Sequence, residues 1–398
     1  MSTTGKKKRL IVISSGSFPY GGASTNRLLS YLKPLVKMGV ETDVFLLYKS
    51  KDQSPLSSLE EGEYESIKYK YVCFRKNRTS FFKFVLFFRS IFKVRAIVTE
   101  DIKKHSEYRN TTFLILIEDA FLLFMFTRLA RKYKFKIFHE KNEFPFINQQ
   151  SLFQRIRLQL YYSQLKKLDG IFTITQALKL FFEKYIEADK IMHIPMTVEP
   201  ERFEIRKAET EYGEYIAYCG WMYGDKDGVP ILMKAFDLFA QKNKNVNLVL
   251  IGDTSDREKF SLIESTYLNL VNKDRVFFTG KVERDQMPRL LVNAAVLALA
   301  RPDNIQAKGG FPTKLGEYLA TGNPVVVTGV GEIPDYLRHL DNAYIAKPNS
   351  VEDFAEVLEL AFLDTDQAKR IGLRGKELVY DVFNNRIQAN CLFRAFFE

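Results

Sequence analysis

The chain runs to 398 residues, of which 46% are apolar and 27% charged, the make-up of a globular protein with room for two domains of roughly 150–200 residues each. No uncharged apolar run reaches the ~18 residues of a membrane-crossing helix, and the basic start "MSTTGKKKRLIVI" has too short an apolar stretch for a signal-peptide core, so a cytoplasmic chain is expected. The net charge of +11 is unevenly spread: residues 1–200 hold 34 Lys and Arg against 19 Asp and Glu, and the rest hold 25 against 29, which directs the first half toward an anionic surface or substrate.

Apolar runs alternate with helical segments from the start. "RLIVISS" (9–15) is the first strand, and "SSGSFPYGGASTNRLLSYL" (14–32) leads from it into a helix, with Gly21 and Gly22 allowing the backbone close to a ligand. The spacing is not Gly-x-Gly-x-x-Gly, which removes the dinucleotide fingerprint and with it a dehydrogenase. "TDVFLLY" (42–48) follows. Next, "RKNRTSFFKFVLFFRSIFKVRAI" (75–97) interleaves cations with phenylalanines. That pattern fits a membrane interface, with rings at the acyl boundary and cations near lipid phosphates, or a buried helix with snorkelling cations. Further strands are expected at 112–119, 136–142, 170–175 and 191–195. The strand "KIFHEKN" (136–142) ends in His139, Glu140 and Asn142, with Glu143 next, and polar groups at the carboxyl end of a parallel strand are placed for a ligand.

The polar stretch "MTVEPERFEIRKAETEYGE" (196–214) breaks the pattern and marks a boundary. Beyond it strands are expected at 215–220, 247–252, 275–280, 295–300, 324–329 and 343–346, again separated by amphipathic segments such as "GVPILMKAFDLFAQK". The runs are continuous rather than alternating, as strands covered on both faces are, so the expected class is α/β with doubly wound parallel sheets. Three widely spaced cysteines, Cys73, Cys219 and Cys391, fit a reduced compartment and offer no metal-ligand spacing.

"GGFPTKLGEYLATGNPVVVTGVGE" (309–332) is the densest stretch. A short helix stops at Gly322, with Thr313 as a candidate cap and Pro312 or Lys314 as alternative starts. The glycines before it leave free N–H groups at a helix start, where the dipole favours an anion. Lys314 opposes that dipole and becomes favourable beside a bound diphosphate, while Glu317, one turn on, is placed to accept two hydroxyls of a ribose.

On these motifs the sequence resembles the retaining, nucleotide-sugar-dependent glycosyltransferases of family 4, over nearly its whole length. The resemblance implies a GT-B fold: two facing Rossmann-like domains with a cleft between them. Residues 1–200 would bind the acceptor, 201–380 the donor, and a helix at 381–398 would cross back onto the first domain. The family has two glutamates with seven residues between them here; the second matches Glu317, which in the family holds the donor ribose. The first falls on Gly309 and is missing, with Asp303 or Gln306 in "RPDNIQAK" as candidates to replace it. "YCGWMYGDKDGVPILMKAF" (218–236) resembles the first strand-turn-helix of the donor domain. There Lys226 matches a diphosphate-binding lysine and Trp221 stands in place of an arginine, leaving Arg301 or Lys314 to supply the second cation.

The implied donor set is Gly21, Gly22, Lys226, Arg301, Gly310, Phe311, Thr313, Lys314 and Glu317. The implied catalytic set is Lys226, Glu317 and His139 or Glu140, the last two orienting the acceptor hydroxyl. The resemblance also implies transfer with retention, the diphosphate oxygen assisting deprotonation on its own face, without an enzyme nucleophile. Asp225-Lys226-Asp227 spells a metal-binding pattern, but the fold class needs none. No metal and no cofactor are expected beyond the nucleotide sugar as co-substrate. The partners implied are a lipid-linked or polysaccharide acceptor and an anionic membrane surface, at the inner face of the membrane, with no nucleic acid. The rivals are a nucleotide-sugar epimerase of the same fold and a non-catalytic nucleotide-sugar binder.

Overall fold

A computed structural model describes residues 7–48, 59–72, 80–105, 110–145, 152–224 and 226–398, with backbone alone at 80–88 and 152–153. Cys73, Asp225 and the first part of the basic, phenylalanine-rich segment lie outside the described residues. The chain forms two units, one of residues up to Pro195 together with Asn385–Glu398, the other Met196–Asn384.

The first unit is built on an eight-stranded sheet. Its strands are β1 (Lys8–Ser14), β2 (Val40–Leu46), β3 (Glu61–Tyr64), β4 (Ile67–Tyr71), β5 (Asn110–Ile115), β6 (Lys136–Lys141), β7 (Gly170–Thr173) and β8 (Ile191–His193), in the order β3-β4-β2-β1-β5-β6-β7-β8. All neighbours pair in parallel except β3 with β4. Leu10, Ile11, Val12 and Ile13 of the central β1 are all fully buried, the expected state of a strand sandwiched by helices. The β3–β4 hairpin is an addition that the apolar runs do not announce. Its strand "IKYKY" alternates buried and exposed, and Glu65 and Ser66 both take positive φ, as a two-residue hairpin turn requires.

Strand alternation in β6 decides where its polar residues point. Glu140 turns to the helix Ala23–Lys37, where Arg27 Nε donates to it at 2.5 Å and the Tyr31 hydroxyl at 2.7 Å. Arg27 also donates to the carbonyls of Ile194 and Pro195, so this buried guanidinium ties the first helix to β6 and to the end of the unit. His139 and Lys141 face the other way, against the helix Leu152–Leu165. The His139 ring is fully buried; Nδ1 donates to the Ile115 carbonyl at 2.7 Å and Nε2 accepts from the Tyr161 hydroxyl at 2.8 Å. The expectation that His139 or Glu140 reaches an acceptor is therefore corrected, because both side chains are spent inside the unit. The final helix, Asn385–Phe397, covers the same sheet: Thr112 Oγ1 donates to the Phe396 carbonyl, and the Phe396 ring packs on Phe138 and Phe172.

The second unit has six parallel strands: β9 (Glu214–Cys219), β10 (Val246–Ile251), β11 (Val276–Gly280), β12 (Val296–Leu299), β13 (Val325–Thr328) and β14 (Tyr344–Ala346), in the order β11-β10-β9-β12-β13-β14. The order reverses between β9 and β12, and the carboxyl ends of that pair are where an open α/β sheet presents a ligand site. Gly228, before the helix Val229–Lys242, has φ of +68°, and a Cβ there would lie 1.8 Å from the Ala300 carbonyl oxygen. The loops after β9 and β12 thus touch through bare backbone.

Two tests follow from this packing. Gly228→Ala forces both an unfavourable φ and a backbone overlap, and should cost about 3 kcal/mol or more in a urea melt; stability equal to the parent would contradict the close approach. Burial, reinforced by the charge of Lys141, pushes His139 down to about 3. As pH falls below the ordinary histidine value of about 6.5 the unfolded chain takes a proton that the folded one refuses, so stability falls between those two values. Between pH 6.5 and 4.5 the native chain should lose about 2 kcal/mol more than His139→Gln, and parallel urea-melt curves would refute the buried neutral ring.

Candidate functional site

The switch point of the second sheet gathers the polar residues. Gly220 follows the end of β9, and the missing side chain there makes room for Lys314: a Cβ would lie 2.0 Å from Nζ and 2.7 Å from the Tyr218 hydroxyl. The loop then returns Asp227, a buried carboxylate, to the same spot. Lys314 Nζ donates to Asp227 Oδ2 and, at 3.1 Å, to the Tyr218 hydroxyl, and it rides over the Tyr218 ring. The Tyr218 hydroxyl lies 2.9 Å from Asp227 Oδ2 and 3.1 Å from the Trp221 carbonyl. Burial alone would raise the Asp227 carboxyl, but the charge of Lys314, the hydrogen bonds from Lys314 and Tyr218, and the charge of Arg301 together hold it below its ordinary value. Asp227 is an anion whose cation is Lys314.

Lys314 lies in the first turn of the helix Thr313–Thr321, whose cap residue is Pro312, with no side chain capping it. An uncapped helix start leaves backbone N–H groups whose dipole favours an anion. Phe311 anchors the approach, packing on Tyr336 and Phe383. The stretch before it is more ordered than its glycines suggest: Ile305–Gly309 is a short helix capped by Asn304, and the Gly310 N–H donates to the Gln306 carbonyl. The Gly310 amide is thus committed to that turn. Asp303 pairs with Lys308 at 3.5 Å on the outside of it. Arg301, after β12, is buried, with Nη2 donating to the Gln306 carbonyl.

Glu317, one turn into the helix, faces Arg202, whose Nη1 is 3.4 Å from Glu317 Oε1. Arg202 stands on the turn Pro200–Phe203 and is missed when "VEPERF" is read only as a boundary; the Pro followed by a charged pair and an aromatic is the signal of a pinned turn. Asp227 is missed too, because Asp225-Lys226-Asp227 reads as a metal pattern rather than as a lysine partner. Lys226 is half-buried in the same loop, and Trp221 stands 56% exposed, edge-on to Tyr223. Cys219, beside this group, has a thiol pushed up to about 12, first by burial and then by the charge of Glu317, so it is chemically quiet.

The first unit places its expected residues separately. Gly21 fits against Thr25, whose Oγ1 donates to the Ser17 carbonyl at 2.6 Å and would lie 2.3 Å from a Cβ. Gly22 caps the helix Ala23–Lys37, with open space beside it and no side-chain cap. The accessible carboxylate near the end of β5 is Glu118, held by the fully buried Lys141, whose ammonium burial holds below its usual range against the pull of Glu118. Neither residue stands out in the sequence.

In the second unit, Lys314 and the charge of Arg301 thus gather on Asp227 at an uncapped helix start, and Glu317 lies one turn further along that helix. Residues 201–378 match the family described as Glycosyl transferases group 1. The N-acetyl-alpha-D-glucosaminyl L-malate synthase of Bacillus anthracis is 29% identical over 141 residues, 35% of this chain and 34% of the synthase, so that likeness spans about a third of the relative. An uncharacterized glycosyltransferase of Methanocaldococcus jannaschii, MJ1069, is 24% identical over 285 residues, covering 67% of this chain and 69% of that protein. The solved sucrose-phosphate synthase from Thermosynechococcus elongatus matches with a TM-score of 0.76 over 98% of both chains, at 15% identity, a likeness of fold. The second unit is thus similar to the group 1 glycosyl transferases, and the chain's fold is GT-B.

Proposed function

We propose that the protein moves a sugar, with retention, from a nucleoside-diphosphate sugar to a hydroxyl of a lipid-linked or polysaccharide precursor. The observation that carries this reading is Lys314, held over Asp227 at an uncapped helix start. A leaving diphosphate gains charge as the sugar departs, and fixed cations and amides stabilise that charge more than they stabilise the intact donor. Lys314 and the first turn of its helix supply this stabilisation, with Arg301 and Lys226 adding charge. Asp227 keeps Lys314 aimed, and Glu317 holds the ribose. On the first unit, the glycine loop at Gly21–Gly22 and the Glu118 carboxylate serve the acceptor side. His139 and Glu140 keep that unit's shape.

The acceptor class rests on charge and surface. The basic excess lies in residues 1–200, and the helix Ser80–Lys104 carries Phe92, 61% exposed, beside Arg95 and Lys103. A lipid-linked acceptor at an anionic membrane fits that face. Among the described residues no helix is long and apolar enough to cross a membrane.

Calorimetry with uridine, guanosine and adenosine diphosphate sugars tests the donor site. Lys314→Ala should weaken whichever donor binds by about 1–3 kcal/mol, the range for a lost charge-assisted hydrogen bond. The same change strands Asp227, so adding Asp227→Asn should restore thermal stability without restoring affinity. Donor affinity that survives Lys314→Ala would refute the assignment. For the membrane, the chain should sediment with vesicles containing phosphatidylglycerol and not with phosphatidylcholine alone, and lose that binding in high salt; equal partition between the two would rule the surface out.

A further inference from the structure

We infer that Arg202 is a positioning residue for Glu317 and, through it, makes the donor pocket select a ribose over a deoxyribose; this rests on the donor reading above. Arg202 is fixed at its base, because Pro200 and Phe203 of its turn are buried and its guanidinium lies over the Phe203 ring. One arm of the guanidinium is committed, Nη2 donating to the Arg284 carbonyl at 2.8 Å. The other arm, Nη1, faces Glu317 Oε1 at 3.4 Å. A planar fork tied at one arm points the second in a fixed direction, so the carboxylate has a preferred rotation rather than a free one.

The distance is informative. A closed arginine–carboxylate bond runs about 2.7–2.9 Å, so Arg202 orients Glu317 without saturating it, and the carboxylate keeps capacity for hydroxyl donors. The arrangement is held at a cost. Arg202 sits below its usual range, first through burial and then through the charge of Arg284, with Glu317 and Glu199 pulling the other way. Arg284 in turn has Nη2 3.8 Å from Glu199.

The test uses the full chain, the variants Arg202→Met and Arg202→Lys, and calorimetry with uridine, guanosine and adenosine diphosphates and their 2′-deoxy counterparts. The native chain should bind its preferred ribonucleotide about tenfold tighter than the deoxy form, the value of one hydrogen bond to a charged group. Arg202→Met should keep deoxynucleotide affinity within about twofold and shrink the ribose advantage below about threefold, with Arg202→Lys recovering part of it. If Arg202→Met weakens both forms equally, Arg202 contacts the phosphates; if the ratio is untouched, the pair is only a strut. Either result overturns the inference alone. Should Arg202→Met fail to fold, the ratio in Arg202→Lys decides: no change from the native value overturns the inference. A native chain that binds none of the diphosphates overturns the donor reading as well, whereas tight binding with no ribose preference overturns the role of Glu317 and this inference while leaving the diphosphate site standing.

Discussion

The second unit is organised around the ion pair of Lys314 and Asp227. A lysine in the first turn of a helix works against the macrodipole by roughly 0.3–1 kcal/mol, and a buried carboxylate without a cation costs several times that. The pair resolves both problems at one place, with Tyr218 satisfying the remaining geometry. Its position is dictated from three directions: Gly220 must lack a side chain, the loop must return Asp227, and the helix must begin at Thr313. On the function proposed above, Lys314 is already oriented and needs little reorganisation to meet a phosphate, which is where preorganised electrostatics draws its advantage.

The first unit shares the topology and treats its polar residues in the opposite way. At the carboxyl ends of β5 and β6 polar groups are paired within the unit: Arg27 with Glu140, Lys141 with Glu118, and the neutral His139 ring with Tyr161. Buried, hydrogen-bonded pairs of this kind are costly to break and contribute more to a unique arrangement than to net stability. Among the described residues, the exposed carboxylates there are Glu118 and Glu143, and Gly22 after β1 offers bare backbone.

Much of this was legible in the residues, and the failures have particular causes. Continuous apolar runs located the strands of both sheets, because parallel strands covered on both faces leave no alternation to misread. The β3–β4 hairpin escaped because an edge pair with one wet face reads as polar sequence, and its turn at Glu65–Ser66 uses neither glycine nor proline. His139 and Glu140 stood out as polar residues at a strand end, yet one step of alternation sends each to a helix, and only the side chains on those helices, Tyr161 and Arg27, show that both are consumed. Lys314 and Glu317 were legible because helix stop, glycines and spacing coincide. Their partners Asp227 and Arg202 were not, since contacts spanning 87 and 115 positions leave no mark on local spacing.

The last helix belongs to the unit that begins the chain. Phe396 completes a ring cluster with Phe138 and Phe172, and Asn385 reaches the Ser30 carbonyl, while Val198 and Asn384 lie side by side where the chain passes out and returns. A ribosome therefore finishes Met196–Asn384 before it delivers the piece that seals the earlier sheet. Until that moment the nascent first unit holds an open apolar flank, and the order of synthesis makes the second unit the natural first to settle.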